Sequence, residues 1–564
     1  MEALDWLVIG VFFLALIGII VWVVRQKQND SADYFLGGRD ATWLAIGASI
    51  FASNIGSEHL IGLAGAGASS GMAMAHWEIQ GWMILILGWV FVPFYSRSMV
   101  YTMPEFLERR YNPQSRTILS VISLVSYVLT KVAVTVYAGG LVFQQVFGIK
   151  ELRGIDFFWI AAIGLVVLTA LYTIFGGMKS VLYTSVLQTP ILLLGSLIIL
   201  VLGFKELGGW DEMMRVCGAV TVNDYGDTMT NLIRSNDDAN FPWLGALIGS
   251  AIIGFWYWCT DQFIVQRVLS GKNEKEARRG TIFGAYLKLL PVFLFLIPGM
   301  IAFALHQKYI GAGGEGFLPM LANGTANADA AFPTLVAKLL PAGVKGLVVC
   351  GILAALMSSL ASLFNSSAML FTIDFYKRFR PETPEKKLVG IGQIATVVIV
   401  ILGILWIPIM RSVGDVLYTY LQDVQSVLAP GIAAAFLLGI CWKRTSAQGG
   451  MWGLIAGMII GLTRLGAKVY YSNAGEVADS TFKYLFYDMN WLFFCGWMFL
   501  FCIIVVIVVS LATEAPTAEK IQGLVFGTAT KEQKAATRAS WDHWDIIHTV
   551  IILAITGAFY WYFW

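Results

Sequence analysis

The sequence of 564 residues is poor in charge and in cysteine. Only 13% of its residues are charged and 57% are hydrophobic, whereas about a quarter of an average soluble domain is charged. This composition excludes a soluble multidomain protein. The net charge is +2, without a basic stripe or tail, so the sequence lacks the concentrated positive charge that is typical of nucleic-acid-binding proteins. The six cysteines form no CxxC pair, which argues against a disulfide framework or a cysteine metal site.

The sequence also lacks the patterns of catalysis and of secretion. It contains no nucleophile–base pair, metal-ligand cluster or phosphate-binding loop, so we predict that it is not an enzyme. The first apolar run is too long for the core of a signal peptide and is followed by no small-residue cleavage site. We therefore expect a retained membrane helix at this end.

Long apolar runs are what the sequence has in abundance. A membrane-spanning helix needs about 20 apolar residues, and by this measure the chain has about fourteen candidates. They cover residues 4–24, 41–66, 78–100, 117–146, 156–176, 180–204, 242–267, 277–305, 344–372, 388–411, 415–442, 449–471, 490–512 and 546–563. Lys and Arg concentrate in alternate loops, which places those loops in the cytoplasm and both termini on the outer side.

Several candidate spans carry polar residues at mid-membrane, where each costs a few kcal/mol and usually faces a cavity or a partner. The second span contains Ala52-Ser-Asn-Ile-Gly-Ser-Glu-His59. A helix unwound at this point would free backbone carbonyls that can hold a small hard cation. Close helix packing explains Gly and Ser equally well, but it does not explain Asn54, Glu58 and His59.

Polar side chains in other spans suggest a solute site, although each has a simpler explanation. Glu78 could accept hydroxyl groups or cap a helix. Tyr257 could stack on a ring or pack in the core, and Asp261 follows one turn later. Lys288 needs an oxygen partner, which a structural ion pair would also supply.

Two further segments could likewise belong to a functional site or be ordinary structural features of a helix. Ser358 and Ser359 could complete an ion site with the broken helix, or bond back to their own helix. Tyr418 and Gln422 could form a gate over an amide, or an ordinary polar helix end. Together these groups point to a neutral polyhydroxylated ligand, because directional donors and acceptors reject analogues that lack the matching hydroxyl.

At these residues the chain resembles the solute:sodium symporter family, and most closely its sodium/glucose cotransporter branch. The resemblance runs over nearly the whole chain and rests on six motifs. They are Asp33-Tyr-Phe-Leu-Gly-Gly-Arg39, Ala48-Ser-Ile-Phe-Ala-Ser-Asn-Ile-Gly-Ser-Glu-His59, Tyr101-Thr-Met-Pro-Glu105, Gly176-Gly-Met-Lys-Ser180, Trp256-Tyr-Trp-Cys-Thr-Asp-Gln262 and Met357-Ser-Ser-Leu-Ala-Ser-Leu-Phe-Asn365.

The resemblance implies an all-α polytopic membrane protein of about fourteen transmembrane helices with a five-plus-five inverted-repeat (LeuT-like) core. A leading helix and linker would occupy 1–40, and the first repeat 41–204. An extracellular loop at 205–241 would precede the second repeat at 242–442. Three additional helices would follow in 443–564.

The resemblance also implies a role for each matching residue. Sodium would be held by Ala52, Ile55, Ala355, Ser358 and Ser359. The solute would be bound by Asn54, His59, Glu78, Tyr257, Trp258, Lys288 and Gln422. The gates would be Leu63, Trp77 and Tyr418 on the outer side and Tyr257 on the inner side.

Some positions depart from the family pattern. Gly254 stands where sugar transporters carry Asn or Thr, and Thr419 and Gln425 replace residues that usually frame the pocket. The particular sugar therefore stays open. Ser185 stands where an Asp often lines a second sodium site, so we predict one sodium ion per sugar.

The predicted function is sodium-coupled symport of a glucose- or galactose-like monosaccharide by alternating access, with Na⁺ as the co-transported ion and no organic cofactor. A sodium symporter for another solute, such as myo-inositol, sialic acid or an amino acid, is the nearest alternative, and a sugar-gated sensor or channel is the alternative of another class. The expected partners are the sugar and the lipid bilayer, without nucleic acid or an obligate protein partner. The expected location is the cell membrane, with few cysteines and compact loops indicating a bacterial inner membrane.

Overall fold

The structure is a computed structural model of the whole chain. It describes residues 1–564 except 27–29, 57, 322–323, 414–416 and 474–477. It describes the backbone but not the side chains of a further set, which comprises residues 129, 130, 138, 141, 145, 406, 409–413, 417–423, 472 and 473.

The described residues fold almost entirely into helices. The longer helices are Ala3–Val24, Trp43–Asn54, Pro113–Ser126, Ala133–Phe147, Phe157–Leu207, Trp243–Gly254, Glu274–Lys288, Ile297–Gly311, Val344–Met369, Glu385–Val413, Leu417–Cys441, Ala447–Asn473, Trp491–Ala512 and His543–Tyr562. The shorter ones are Ser31–Leu36, Gly37–Arg39, Ala64–Ser70, Gly71–Met74, Ala75–Glu78, Gly81–Ile86, Val92–Ser98, Met103–Arg110, Trp210–Gly218, Gln262–Leu269, Ala328–Ala330, Ala331–Leu339, Lys377–Phe379, Thr481–Lys483, Ala518–Ile521 and Lys531–Ala539. Wider π-helical turns occupy Glu58–Leu63, Leu87–Phe91, Tyr127–Val132, Phe255–Thr260, Val292–Leu296, Leu370–Tyr376 and Tyr484–Asp488. One antiparallel hairpin pairs Glu151–Leu152 with Ile155–Asp156.

Within the described residues, eleven helical segments are long and apolar enough to cross a membrane. The longest, Phe157–Leu207, has 51 residues and would measure about 76 Å as a straight helix, more than twice the hydrocarbon thickness of a bilayer. It is divided at Gly177, whose φ of 54° and ψ of −150° are not helical. This segment therefore corresponds to the two spans predicted at 156–176 and 180–204, while the total of fourteen stays a prediction.

Two interrupted helices and two of their neighbours form the centre of the molecule. The first broken helix consists of Trp43–Asn54 and its continuation from Glu58 to Ser70. The second broken helix consists of Trp243–Thr260 and Gln262–Leu269. The lysine helix, Glu274–Lys288, and the serine helix, Val344–Met369, pack against the first broken helix.

Burial distinguishes this centre from the helices around it. The serine helix is buried along nearly its whole length, from Val348 onward. Ala3–Val24 instead exposes large apolar side chains such as Leu14, which is 72% accessible. Since an apolar surface of this kind suits lipid rather than water, the polar groups described below lie in the interior of a membrane-embedded bundle.

Candidate functional site

The first broken helix is interrupted where the sequence predicts it. Regular helix ends at Asn54, and Ile55 adopts an extended backbone with φ of −78° and ψ of 106°. The amide of Ile55 still donates to the carbonyl of Phe51 at 3.0 Å. The last carbonyls of a helix have no intrahelical donor as a rule, and here the carbonyl of Ser53 accepts a side-chain hydroxyl from another helix. The break therefore leaves carbonyl oxygens available inside the bundle.

The serine helix brings hydroxyl groups to this break. Ser359 Oγ donates to the carbonyl of Ser53 at 3.0 Å, and Ser358 Oγ lies 3.3 Å from Ser185 Oγ. A methyl group on Gly56 would lie 3.0 Å from Ser359 Oγ, so the absence of a side chain at Gly56 allows the approach. Both predicted serine ligands are buried, and Ser359 directly contacts the end of the first half of the broken helix.

A ring of polar contacts lies beside the break. Lys288 Nζ donates to Glu78 Oε2 at 2.6 Å and to Asn54 Oδ1 at 3.1 Å. His59 Nε2 lies 3.3 Å from the same Glu78 oxygen. These four side chains come from four different helical segments, and each is at most 5% exposed. The structure therefore brings together four of the predicted solute-binding residues.

Some polar atoms of this ring are left without a partner among the described residues. Both ring nitrogens of His59 and the indole nitrogen of Trp77 are buried and make no hydrogen bond. The 3.3 Å contact of His59 with Glu78 is close in distance but lacks hydrogen-bond geometry. Because unpaired buried polar atoms are costly, these atoms indicate a place for a polar ligand or for water.

The second broken helix provides the aromatic side of the site. Asn54 Nδ2 donates to the hydroxyl of Tyr257 at 3.2 Å, which joins the two broken helices. Tyr257 and Trp258 contact each other edge to face, with ring centroids 4.9 Å apart. Lys288 Nζ lies 5.3 Å from the centroid of the Trp258 ring, a distance typical of a cation–π contact.

These groups line one cavity. Its cavity volume is about 60 Å³, which is enough for water molecules but below the roughly 300–1,000 Å³ of small-molecule sites. The lining residues are Asn54, Glu58, His59, Trp77, Glu78, Gln80, Lys131, Thr135, Ile253, Gly254, Tyr257, Trp258, Phe263, Lys288, Ser359, Leu363 and Gln425.

Below Tyr257 the second broken helix is interrupted at Asp261. This residue has an extended backbone, with φ of −75° and ψ of 127°, and begins Gln262–Leu269. Its carboxylate pairs with Lys131 Nζ at 2.7 Å and accepts the hydroxyl of Tyr127. Lys131 also lies 4.8 Å from the ring centroid of Tyr257, so this ion pair adjoins the predicted inner gate.

Aromatic rings pack around Trp77, a residue of the predicted outer gate. Trp77 stacks on Trp491, with centroids 5.5 Å apart, and meets Phe241 edge to face at 6.1 Å. Leu63 is fully buried. The side chains of Tyr418, the third predicted outer gate residue, and of Gln422, a predicted solute ligand, lie outside the described residues.

The carboxylate of Asp238, in the loop 205–241 that is predicted to be extracellular, fixes the position of Phe241. Its Oδ1 accepts the backbone N–H of Phe241 at 2.6 Å and that of Asn240 at 2.9 Å. Burial opposes ionisation of Asp238, but these donors and the Asn223 amide outweigh it and lower the pKa of Asp238 from its ordinary value of 3.8. The loop therefore holds an ionised carboxylate at neutral pH.

The sequence interpretation did not assign a site role to several residues that line the cavity. No role is predicted from the sequence for Gln80, Lys131 or Thr135, and Glu58 is included only as part of a polar patch. Gln80 could have been found, because it stands two residues after Glu78 at the start of an apolar run. Thr135 gives no such signal.

Comparisons with known proteins agree with this arrangement. The model of the sodium:solute symporter family matches residues 34–457. Sodium/myo-inositol cotransporter 2 of Mus musculus is 37% identical over 542 residues, covering 94% of this chain and 80% of the relative. Sodium/glucose cotransporter 4 of Danio rerio is 35% identical over 560 residues, covering 96% and 84%.

A solved structure shows the same fold. The substrate-bound outward-open state of a Na⁺-coupled sialic acid symporter superposes with a TM-score of 0.72 at 22% identity, covering 92% of this chain and 99% of the other. The predicted fold class of a helical membrane symporter with a LeuT-like core is thereby confirmed.

Proposed function

The chain belongs to the sodium:solute symporter family, and from that premise we propose that it imports a neutral polyol, a glucose- or galactose-like monosaccharide, together with Na⁺ by alternating access. As a member of this family it is a multi-pass, sodium-coupled solute transporter and not an enzyme. The observation that carries the finer proposal is the buried contact of Lys288 with both Glu78 and Asn54, directly beside the interrupted helix.

The ion site we propose is formed by oxygen atoms only. Its ligands would be the carbonyls of Ala52, Ile55 and Ala355 and the hydroxyls of Ser358 and Ser359. The extended backbone at Ile55 and the contact of Ser359 with the Ser53 carbonyl support this assignment. Carbonyl and hydroxyl oxygens at an unwound helix suit a small hard cation.

The charges that line the cavity favour a neutral solute. Lys288 already pairs with Glu78, and Lys131, the other ammonium group of the lining, pairs with Asp261. An additional solute carboxylate would lie near Glu78 and add an unpaired charge to a buried site. Hydroxyl groups, in contrast, can both donate to Glu78 and accept from Lys288 or His59.

The proposed coupling between sodium binding and solute binding depends on Asn54, which lies both at the helix break and in the solute cavity. This residue ends the first half of the broken helix and also contacts Lys288 and Tyr257. Sodium bound at the break would fix Asn54 and so preorganise the solute cavity. Because such coupling is reciprocal, the solute must tighten sodium binding by the same factor.

The driving force is sufficient for accumulation. One charge that crosses a potential of ~100 mV supplies about 2.3 kcal/mol, and a tenfold sodium gradient adds about 1.4 kcal/mol. Together they support roughly 500-fold accumulation of a neutral solute per ion.

Myo-inositol is the second candidate solute. The observation that favours it is the 37% identity to a sodium/myo-inositol cotransporter over 94% of this chain. It is also a neutral polyol, so the charge argument applies to it equally.

Uptake into proteoliposomes under an imposed sodium gradient tests the proposal. We expect one or more of D-glucose, D-galactose and myo-inositol to accumulate above the external concentration, and we expect potassium in place of sodium to abolish accumulation. N-acetylneuraminate should not be taken up. Solute-evoked current without accumulation would instead identify a sensor or channel, and no response to any of the three polyols would refute the proposal.

We also propose that the protein resides in the cell membrane of a bacterium with both termini on the outer side. The alternation of basic loops supports this orientation. Cysteine labelling at residues 2 and 530 with a membrane-impermeant reagent should modify only the residue 2 variant in intact cells.

A further inference from the structure

Gln80 occupies a notch in the second broken helix. Ser250, Gly254 and Trp258 are spaced four residues apart in that helix and so lie along one face. Gly254 leaves the middle of this face without a side chain. A methyl carbon there would lie 2.5 Å from Oε1, 2.9 Å from Cδ and 3.0 Å from Nε2 of Gln80, which are its three nearest atoms. The carboxamide of Gln80 therefore fills the space that any side chain at Gly254 would need.

The orientation of this carboxamide is fixed by its neighbours in the notch. Gln80 Nε2 donates to the carbonyl of Ser250 at 2.8 Å, and Gln80 Oε1 accepts from the indole N–H of Trp258 at 3.2 Å. A carbonyl can only accept and an indole N–H can only donate, so the reversed orientation of the amide would lose both bonds. The side chain is only 3% exposed.

These two bonds leave part of the amide unused. A primary amide has two N–H donors and two acceptor lone pairs, so one donor and one lone pair have no partner in the notch. Gln80 lines the same cavity as Glu78 and Lys288. The ammonium group of Lys288 lies over the ring of Trp258, which is the hydrogen-bond partner of Gln80. The unused donor and acceptor are thus available beside the Lys288–Glu78 pair.

We propose that Gln80 is a specificity-determining residue that binds a hydroxyl group of the transported polyol. A hydroxyl both donates and accepts, as does the unused part of the carboxamide. A solute that lacks this hydroxyl leaves both amide groups unpaired in a buried site, which costs affinity. This inference rests on the proposed symport of a neutral polyol and adds one solute contact to it.

Competition by monodeoxy analogues tests the contact. For whichever of D-glucose, D-galactose or myo-inositol is taken up, each analogue lacking one hydroxyl competes with the labelled parent in wild type and in Gln80→Leu. We expect the analogue that lacks the hydroxyl bound by Gln80 to bind about fivefold to tenfold more weakly than the parent in wild type. In Gln80→Leu this ratio should fall to about one for that analogue alone. The ratio is measured within each variant, so the amount of folded protein cancels.

A second variant perturbs the same amide without changing Gln80. Gly254→Ala should displace the carboxamide and give the same loss of discrimination, and Gly254→Ala with Gln80→Leu should be no worse than either change alone. If Gln80→Leu does not elute as a single species in detergent, Gln80→Met replaces it in the competition assay. Gln393→Leu and Gly164→Ala are matched controls, because Gln393 donates only to the carbonyl of Ile174 and Gly164 has open space around it.

The outcomes separate the two proposals. If wild type takes up none of the three polyols, the proposed function fails. If wild type takes up a polyol but the Gln80 and Gly254 variants change all analogues by the same factor, or change none, Gln80 only supports the two helices and this inference is overturned.

Discussion

The hydroxyl of Ser359 lies at the end of the first half of the broken helix, where it contacts the Ser53 carbonyl. Ser359→Ala removes one proposed ion ligand, so we expect the sodium concentration for half-maximal uptake to rise by about tenfold, with less change in solute affinity at saturating sodium. Gln422→Ala should do the reverse, because that residue is predicted to bind the solute. Kinetics of uptake as a function of each concentration provide the measurement. Ser366→Ala is a control on the same helix, since Ser366 bonds Gln266 instead. Normal transport by both test variants would show that the site assignment is wrong.

The ion pair of Lys288 and Glu78 gives a second prediction for single residues. Lys288→Met leaves a buried carboxylate without its cation, which typically destabilises a protein by roughly 3–5 kcal/mol. We expect a lower melting temperature in detergent and loss of uptake. Adding Glu78→Gln removes the uncompensated charge and should restore most of the thermal stability but not the uptake. If the double variant is as unstable as the single one, the pair does not contribute through its charge.

Among the helices, the outer half of the first broken helix depends on a close crossing. A methyl group on Gly299 would overlap the carbonyl of Ala64, and one on Gly67 would overlap the carbonyl of Leu296. Gly299→Ala must therefore separate Ala64–Ser70 from Ile297–Gly311, and overpacking of this kind costs about 1–3 kcal/mol. We expect a lower melting temperature together with weaker solute binding, because the lysine helix leads into this crossing. Gly311→Ala is the control, since no atom lies within 4 Å of a methyl group there. Equal melting temperatures for the two variants would contradict the prediction.

The same elements show which features a sequence can predict. The break after Asn54 was predictable, because Gly56 and several polar residues interrupt an apolar run. The kink at Gly177 coincides with a predicted boundary between spans for a similar reason. The break at Asp261 was not predicted, since no glycine or proline marks it. It depends on Lys131 and Tyr127, which are distant in sequence, and hydropathy along one segment contains no information about such partners.

The notch filled by Gln80 also depends on residues that are distant in sequence, so it was not predicted. The sequence shows that Gly254 departs from the family pattern, but it does not show which side chain enters the vacant space. That side chain comes from Gln80, which directly precedes the helix Gly81–Ile86 and lies 170 residues before its partner Ser250, so its position is decided by tertiary packing. The residues of the first broken helix, in contrast, are contiguous in sequence and were recognised together.

Across the whole molecule, the ion site and the solute cavity share one structural support. Asn54 connects the break to Lys288 and to Tyr257, and Tyr257 lies beside the Lys131–Asp261 pair at the second break. Asn54 at the first interruption therefore lines the cavity, and the second interruption adjoins it through Lys131 and Tyr257. This arrangement lets occupancy of the cavity influence the relative position of the two broken helices, which is what coupled transport requires.

The number of ions moved per solute is a property of the whole molecule, and we predict one sodium ion. A second site would require further oxygen ligands near the serine helix. Ser185, whose Oγ lies 3.3 Å from Ser358 Oγ, has no carboxylate and already donates to the carbonyl of Val181 at 2.6 Å. Its hydroxyl is therefore a weak basis for a second cation. The reversal potential of solute-evoked current in proteoliposomes, measured at several sodium and solute gradients, gives the ratio directly. A ratio near one is expected, and accumulation should then approach roughly 500-fold at ~100 mV and a tenfold sodium gradient. A ratio near two would refute the prediction and would mean that oxygen atoms other than a carboxylate at position 185 complete a second site.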